Sequence, residues 1–285
     1  MELIDAHVHL LHPEHFDYAW CRREPKLNRA FHWSDYRAAL AGGPEDVTVT
    51  SLVFMEADVP KASQRAEVEF FSALAGDLTG RPSVAAIVAG AWPESAGFAA
   101  RIEELAANPR VRGVRRVLHT MPDDFMMRPG FAANLRRLAP LGLPFELCLR
   151  PHLLPAATAL AAACPETTFI LDHAGVPDIA GGGLEPWSRG LVALARCPNV
   201  ICKFSGLASC CDPRRPMTPQ VRPYFDLCLE RFEPARLMWG SDWPLCNLTF
   251  DLAAWVRTTI ELLEGIGPED RARIATGTAR RAYRL

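Results

Sequence analysis

"ELIDAHVHL", residues 2–10, sets apolar Leu3, Ile4, Ala6 and Val8 around Asp5, His7 and His9, close to the N-terminus. Side chains two apart on a strand share a face, about 6.5–7 Å between Cα atoms. That alternation predicts a strand with Asp5, His7 and His9 on one side. Seven further strand-like runs follow: "VTVTSLVFM" (47–55), "SVAAIVAGAW" (83–92), "VRGVRRVL" (111–118), "LPFELCLR" (143–150), "TTFILDHAG" (167–175), "NVICKFSGL" (199–207) and "RLMWGSDWP" (236–244). Segments of helical spacing lie between them. Phe98, Ile102 and Leu105 share one helical face, as do Trp187, Leu191 and Leu194, and Val221, Tyr224, Cys228 and Phe232. Eight strands, each followed by a helix, predict a (β/α)8 TIM barrel, one α/β domain over residues 1–285. The near-continuous apolar strands fit parallel strands buried on both faces. A doubly wound sheet is disfavoured, because no GxGxxG follows the first strand.

Composition narrows the function classes. Hydrophobic residues make up 49% and charged residues 22% of the 285 residues, ordinary for a soluble globule. A formal charge of -2 gives no basic footprint for nucleic acid or for an anionic membrane surface. No apolar run reaches the ~20 residues of a membrane span, and a strand this early leaves no room for a signal peptide. The nine cysteines form no CxxC pair, and Cys148, Cys164, Cys202 and Cys228 sit in apolar segments as small buried hydrophobes. The expected compartment is therefore the reducing cytoplasm. A homo-oligomer stays open.

Chemistry on such a barrel sits at the C-terminal strand ends, and polar residues gather there. The first strand ends in His7 and His9, the second in Glu56, and the fourth in Arg115, Arg116 and His119. The sixth ends in Asp172 and His173, the seventh in Lys203 and Ser205, and the eighth in Ser241 and Asp242. His7, His9, His173 and Asp242 together are three imidazoles and a carboxylate, a set suited to one divalent transition metal, zinc by preference. Asp172 and Ser241 read equally as cap or turn residues. Of the neighbours Arg115 and Arg116, one faces the barrel interior and the other the helices; the inward one is placed to grip a carboxylate or carbonyl oxygen. Glu56 reads as a further ligand, a substrate contact or a rim residue. Trp20, in the long first loop, is placed either to stack on a ring-shaped substrate or to pack the loop.

The HxH of "IDAHVH", the histidine of "LDHAG" and the aspartate of "GSDWP" resemble the amidohydrolase superfamily, most closely its amidohydrolase-2 branch of sugar-acid lactonases. "GVRRVLH", "NVICKFSGL", "RLMWGSDWPLC" and the closing "GTARRAYRL" extend the likeness over residues 3–285. The resemblance implies a metal-dependent hydrolase that opens an aldonolactone of the fuconolactone or rhamnonolactone type, with a small-molecule lactone as partner. By matching position it implies His7, His9, His173 and Asp242 as metal ligands. Asp242 also activates water, and Arg116 contacts substrate, with Glu56, His119 and Trp20 as further substrate-binding candidates. Two-metal amidohydrolases use a bridging lysine or glutamate on a middle strand and a histidine at the fifth. Here the fourth strand offers arginines and the fifth ends in Leu149 and Arg150, so one metal is implied. Members of this branch that work without metal make a metal-free site the second case. Two rivals stand beside the lactonase. A metal-dependent decarboxylase of an unsaturated or aromatic acid would keep the same four residues. A non-catalytic sugar-acid-binding barrel would be expected to lose at least one.

Overall fold

A computed structural model describes residues 1–285. Eight parallel strands lie in chain order around a barrel: β1 (Glu2–Val8), β2 (Thr48–Met55), β3 (Ser83–Gly90), β4 (Val111–Val117), β5 (Phe145–Cys148), β6 (Phe169–Leu171), β7 (Val200–Phe204) and β8 (Leu237–Trp239). The principal helices after them are α1 (Trp33–Leu40), α2 (Gln64–Asp77), α3 (Phe98–Ala107), α4 (Phe131–Arg136), α5 (Leu154–Ala163), α6 (Trp187–Ala195), α7 (Met217–Phe232) and α8 (Leu252–Leu263). Two short helices, α9 (Pro268–Ala272) and α10 (Thr278–Tyr283), finish the chain around a π-helical turn at Arg273–Gly277. The strands are apolar almost throughout because both faces are buried. One face of each packs under the helices in a large apolar core. The other contributes Ile4, Ala6, Val53, Met55, Ala86, Val88, Ile170, Ile201 and Met238 to a smaller core inside the barrel, with Tyr283 of α10 packed against it. All nine cysteines are unbridged and all but Cys210 are buried, including the four expected there, Cys148, Cys164, Cys202 and Cys228. No helix is long and apolar enough to cross a membrane.

The first strand departs from strict alternation. Ile4 and Ala6 belong to the inner core, yet the His7 ring also faces inward, its Nδ1 3.3 Å from Lys203 Nζ on β7. A register shift against β2 between Asp5 and Val8 reconciles the two: a bulge inserts a residue and turns His7 inward. Asp5 therefore does not share a face with His7 and His9. It points outward, where its Oδ2 accepts a hydrogen bond from Tyr36 Oη of α1 at 2.7 Å. Its Oδ1 accepts from the backbone N–H of Ser241 at 2.7 Å and of His7 at 3.2 Å.

β1 and β8 close the barrel through the segment just past β8. Asp242 N donates to His7 O at 2.8 Å and His9 N to Trp243 O at 2.7 Å. Tyr36→Phe would leave Asp5 Oδ2 buried without that donor, which costs about 1–3 kcal/mol. The expected result is a correspondingly lower urea midpoint with unchanged far-ultraviolet circular dichroism. An unshifted midpoint would show that the seam does not depend on this bond.

Candidate active site

Two imidazole nitrogens and one carboxylate oxygen converge at the C-terminal mouth of the barrel. His9 Nδ1 lies 3.1 Å from the carbonyl oxygen of Met55 and so carries the ring proton, leaving Nε2 as a lone pair. His7 Nδ1 lies 3.3 Å from Asp172 Oδ1, which fixes the same tautomer. The two Nε2 atoms are 3.2 Å apart, and each is 3.6 Å from Asp242 Oδ1, a buried oxygen with no hydrogen-bond donor of its own. His173 completes the group: one ligand atom from each of His7, His173 and Asp242 falls within 4.8 Å of the others. Such a set repels itself unless a proton or a cation sits among its lone pairs, and three imidazoles with one carboxylate fit a divalent metal.

Local backbone geometry presents these side chains. His173 and Asp242 both hold left-handed backbone, at φ 55° and 59°, a sparsely populated region for residues other than glycine. Their side chains thereby turn into the mouth rather than along the strand. Gly206 lies between them at φ +65°; a Cβ there would come within 2.6 Å of His173 Nδ1 and 2.9 Å of Asp242 Oδ2. Ser205 Oγ holds His173 Nδ1 at 2.9 Å.

Beneath the histidines runs a buried ionic chain. Lys203 Nζ donates to Glu146 Oε2 at 2.6 Å and to Asp172 Oδ1 at 3.1 Å, and Tyr283 Oη donates to Glu146 Oε1. Burial pushes the Asp172 carboxyl up, but the Lys203 ammonium and His7 outweigh it and hold it well below the carboxylate range. The same burial, only partly offset by Lys203, raises Glu146 to about 8. Desolvation lowers His7 and His9 well below the imidazole range and His173 to about 4, so all three rings are neutral at pH 7. Burial also raises Asp242 well above the usual carboxylate value.

The fourth strand resolves the arginine pair in favour of Arg115. Its Nε donates to Glu56 Oε1 at 2.6 Å, and its Nη1 lies 3.5 Å from His7 Nε2. Arg116, the residue expected to contact substrate, faces the helices instead, with its Nε on Glu94 Oε1 at 3.0 Å and its guanidinium over Trp92. The reason is strand alternation: only one of two neighbours can face inward. Glu56 is also placed differently from expectation. Both its carboxylate oxygens are engaged by the protein, Oε1 by Arg115 and Oε2 by Asp58 N at 2.8 Å, and it does not line the cavity. His119 and Trp20 do line it, the latter anchored by Nε1 on Ala57 O at 2.9 Å. The cavity measures about 320 Å³ and takes in His9, Arg115, His173 and Asp242 at its floor, with Arg150 on its wall.

A family model described as amidohydrolase matches residues 4–285. Two curated relatives are L-fucono-1,5-lactonases. That of Burkholderia ambifaria is 35% identical over 73% of this chain and 74% of its own length. That of Burkholderia multivorans is 30% identical over 78% and 77%. A crystal structure of an amidohydrolase from Burkholderia multivorans with bound zinc superposes over the whole of both chains, with TM-score 0.86 and 27% identity. With the barrel, the paired histidines of β1 and the mouth aspartate in place, the chain belongs to the amidohydrolase family.

Proposed function

We propose that this chain is a hydrolase that opens a sugar-acid lactone of the aldonolactone class, a small-molecule substrate held in the mouth cavity. The observation that carries this reading is the convergence of His7 Nε2, His9 Nε2 and the donor-less Asp242 Oδ1 at the floor of a cavity lined by His9, His173 and Asp242, with the Arg115 guanidinium beside it. Similarity to lactonases over about three quarters of the chain supports it.

His7, His9, His173 and Asp242 would hold one divalent cation, zinc by preference; bound there, it supplies Lewis acidity and lowers the pKa of water toward 7. Asp242 takes a proton from the attacking water, whose oxygen bonds to the lactone carbonyl carbon. It then hands that proton to the ring oxygen as the carbon–oxygen bond breaks. Arg115, rather than its neighbour Arg116, steadies the negative charge that develops on the carbonyl oxygen. Glu56 fixes the Arg115 guanidinium, and Asp172 fixes the His7 tautomer. Trp20 and His119 form the wall against which the sugar ring lies. The product hydroxy acid ionises, so each turnover releases one proton to the medium.

The test is zinc-loaded protein against a panel of aldonolactones, followed by a pH indicator. Acid release that chelator abolishes and zinc restores is the expected outcome; none from any lactone by metal-bound protein would overturn the reading. Asp242→Asn should lower kcat by about 10²–10⁴-fold, the usual span for a lost general base. Arg115→Met leaves Glu56 buried and unpaired, and should cost about 3–5 kcal/mol in urea unfolding. Arg116, whose partner Glu94 stays a quarter exposed and so can be solvated when left alone, should cost less on the same change. Gly206→Ala, which displaces two site residues, should reduce kcat by about 10²-fold. Wild-type turnover in that variant would show that the mouth absorbs the added methyl group.

A further inference from the structure

The first strand–helix loop carries a second cluster of metal-ligand side chains, outside the mouth cavity. His12 Nδ1 lies 2.9 Å from Glu14 Oε1, and His32 Nε2 lies 3.0 Å from the same oxygen. All three ligand atoms fall within 4.8 Å of one another. We propose that His12, Glu14 and His32 form a transition-metal site, for zinc or a similar borderline cation, that clasps the two arms of this loop.

Loop architecture presents the three residues together. Leu11 and Phe31 exchange both backbone hydrogen bonds at 2.9 Å, an antiparallel bridge that sets the next residues, His12 and His32, on its two sides. His15 N and Phe16 N both donate to His12 O at 2.9 Å, which folds Glu14 back over the bridge. The two imidazoles stack with centroids 4.4 Å apart and planes at 29°. In a tetrahedral site with bonds of about 2.0–2.1 Å, ligand atoms lie roughly 3.3 Å apart. The observed separations need only a few tenths of an ångström of opening to admit a cation.

The His12 ring adds an independent observation. Its Nε2 is buried with no hydrogen-bond partner, and the ring stands edge-on to Phe70 and Phe71 of α2, with centroids 4.8 and 5.7 Å away. A neutral ring with its proton on Nδ1 puts a bare lone pair against those aromatic rings. With the proton on Nε2, the Nδ1 lone pair instead opposes the Glu14 carboxylate. A cation on Nδ1 removes both conflicts: the proton goes to Nε2, where N–H against an aromatic face is favourable. Access is open, because Glu14 borders a surface depression of about 510 Å³. Two imidazoles and one carboxylate leave a fourth position for water, a donor set zinc accepts. The clasped loop carries Trp20, so a metal here orders one wall of the mouth without entering it.

The test is equilibrium dialysis of chelator-stripped protein against zinc, with bound metal counted by elemental analysis. Wild type should hold two zinc ions per chain, Glu14→Gln and His32→Ala one each, and His7→Ala, which disables only the barrel site, also one. Combining His7→Ala with His32→Ala should leave none. The proposal is overturned if Glu14→Gln and His32→Ala retain as much zinc as wild type at every free concentration, rather than binding the loop ion at least tenfold more weakly. Hydrogen exchange gives a second reading that needs no loop variant: in His7→Ala, zinc should slow exchange across residues 11–33, and no change there would also overturn it. Failure of the barrel site alone would appear separately, as one zinc that His32→Ala removes and His7→Ala does not.

Discussion

A single carboxylate, Asp5, holds the first and last strands of this barrel in register. It receives backbone N–H groups from both sides of the seam, Ser241 and His7, and a phenol from the first helix. Burial raises the Asp5 carboxyl to about 6, its hydrogen bonds only partly offsetting the desolvation. The site is downstream of that seam. Asp242 and Trp243 exchange backbone bonds with His7 and His9, so the strand contacts that close the barrel also bring the mouth carboxylate to the paired histidines.

Charge accounting then shapes the mouth. Six carboxyl groups are buried (Asp5, Glu56, Glu67, Glu146, Asp172 and Asp242) against two buried cations, Arg115 and Lys203. Arg115 is committed to Glu56, and Lys203 is shared between Glu146 and Asp172. Asp242 is left among neutral imidazoles. A buried carboxylate without a partner is costly unless it is protonated or meets a cation. Both outcomes serve hydrolysis, since a group that holds a proton firmly can also return one to a departing oxygen. The lysine chain reaches from Tyr283 at the end of the protein to His7 at the mouth. The last residues thus belong to the support of the site as well as to the fold.

The architecture was legible because each strand is a compact apolar run and each following helix repeats at 3.6 residues. His7, His9, His173 and Asp242 were legible because polar ligand types at strand ends have few other reasons to coincide. Three features left weaker traces. The bulge in β1 shifts facing by one residue, yet both faces are buried, so the sequence on either side looks alike and Asp5 was grouped with the histidines. Choosing between Arg115 and Arg116 needs the phase of β4, which an apolar strand does not reveal; the inner Gly113, sharing Arg115's face, was the available clue. Glu146 and Gly206 were missed. A glutamate inside "LPFELCLR" is an anomaly in a buried strand and could have been read as half of an ion pair. Gly206 is set by contacts to His173 and Asp242 that exist only once three strands are assembled.

The bond from Ser241 to Asp5 spans 236 residues of chain. During synthesis β1 precedes its eighth-strand partner by nearly the whole barrel and has nothing to pair with on that edge until β8 follows. Its open edge must wait, and contacts of such long sequence separation form late. The mouth cannot assemble in any chain that lacks the segment after β8, which carries Asp242 and Trp243 to His7 and His9. Assembly of the site and closure of the barrel are one event in time, which makes an intact mouth a direct report that the first strand and the segment past the eighth have met.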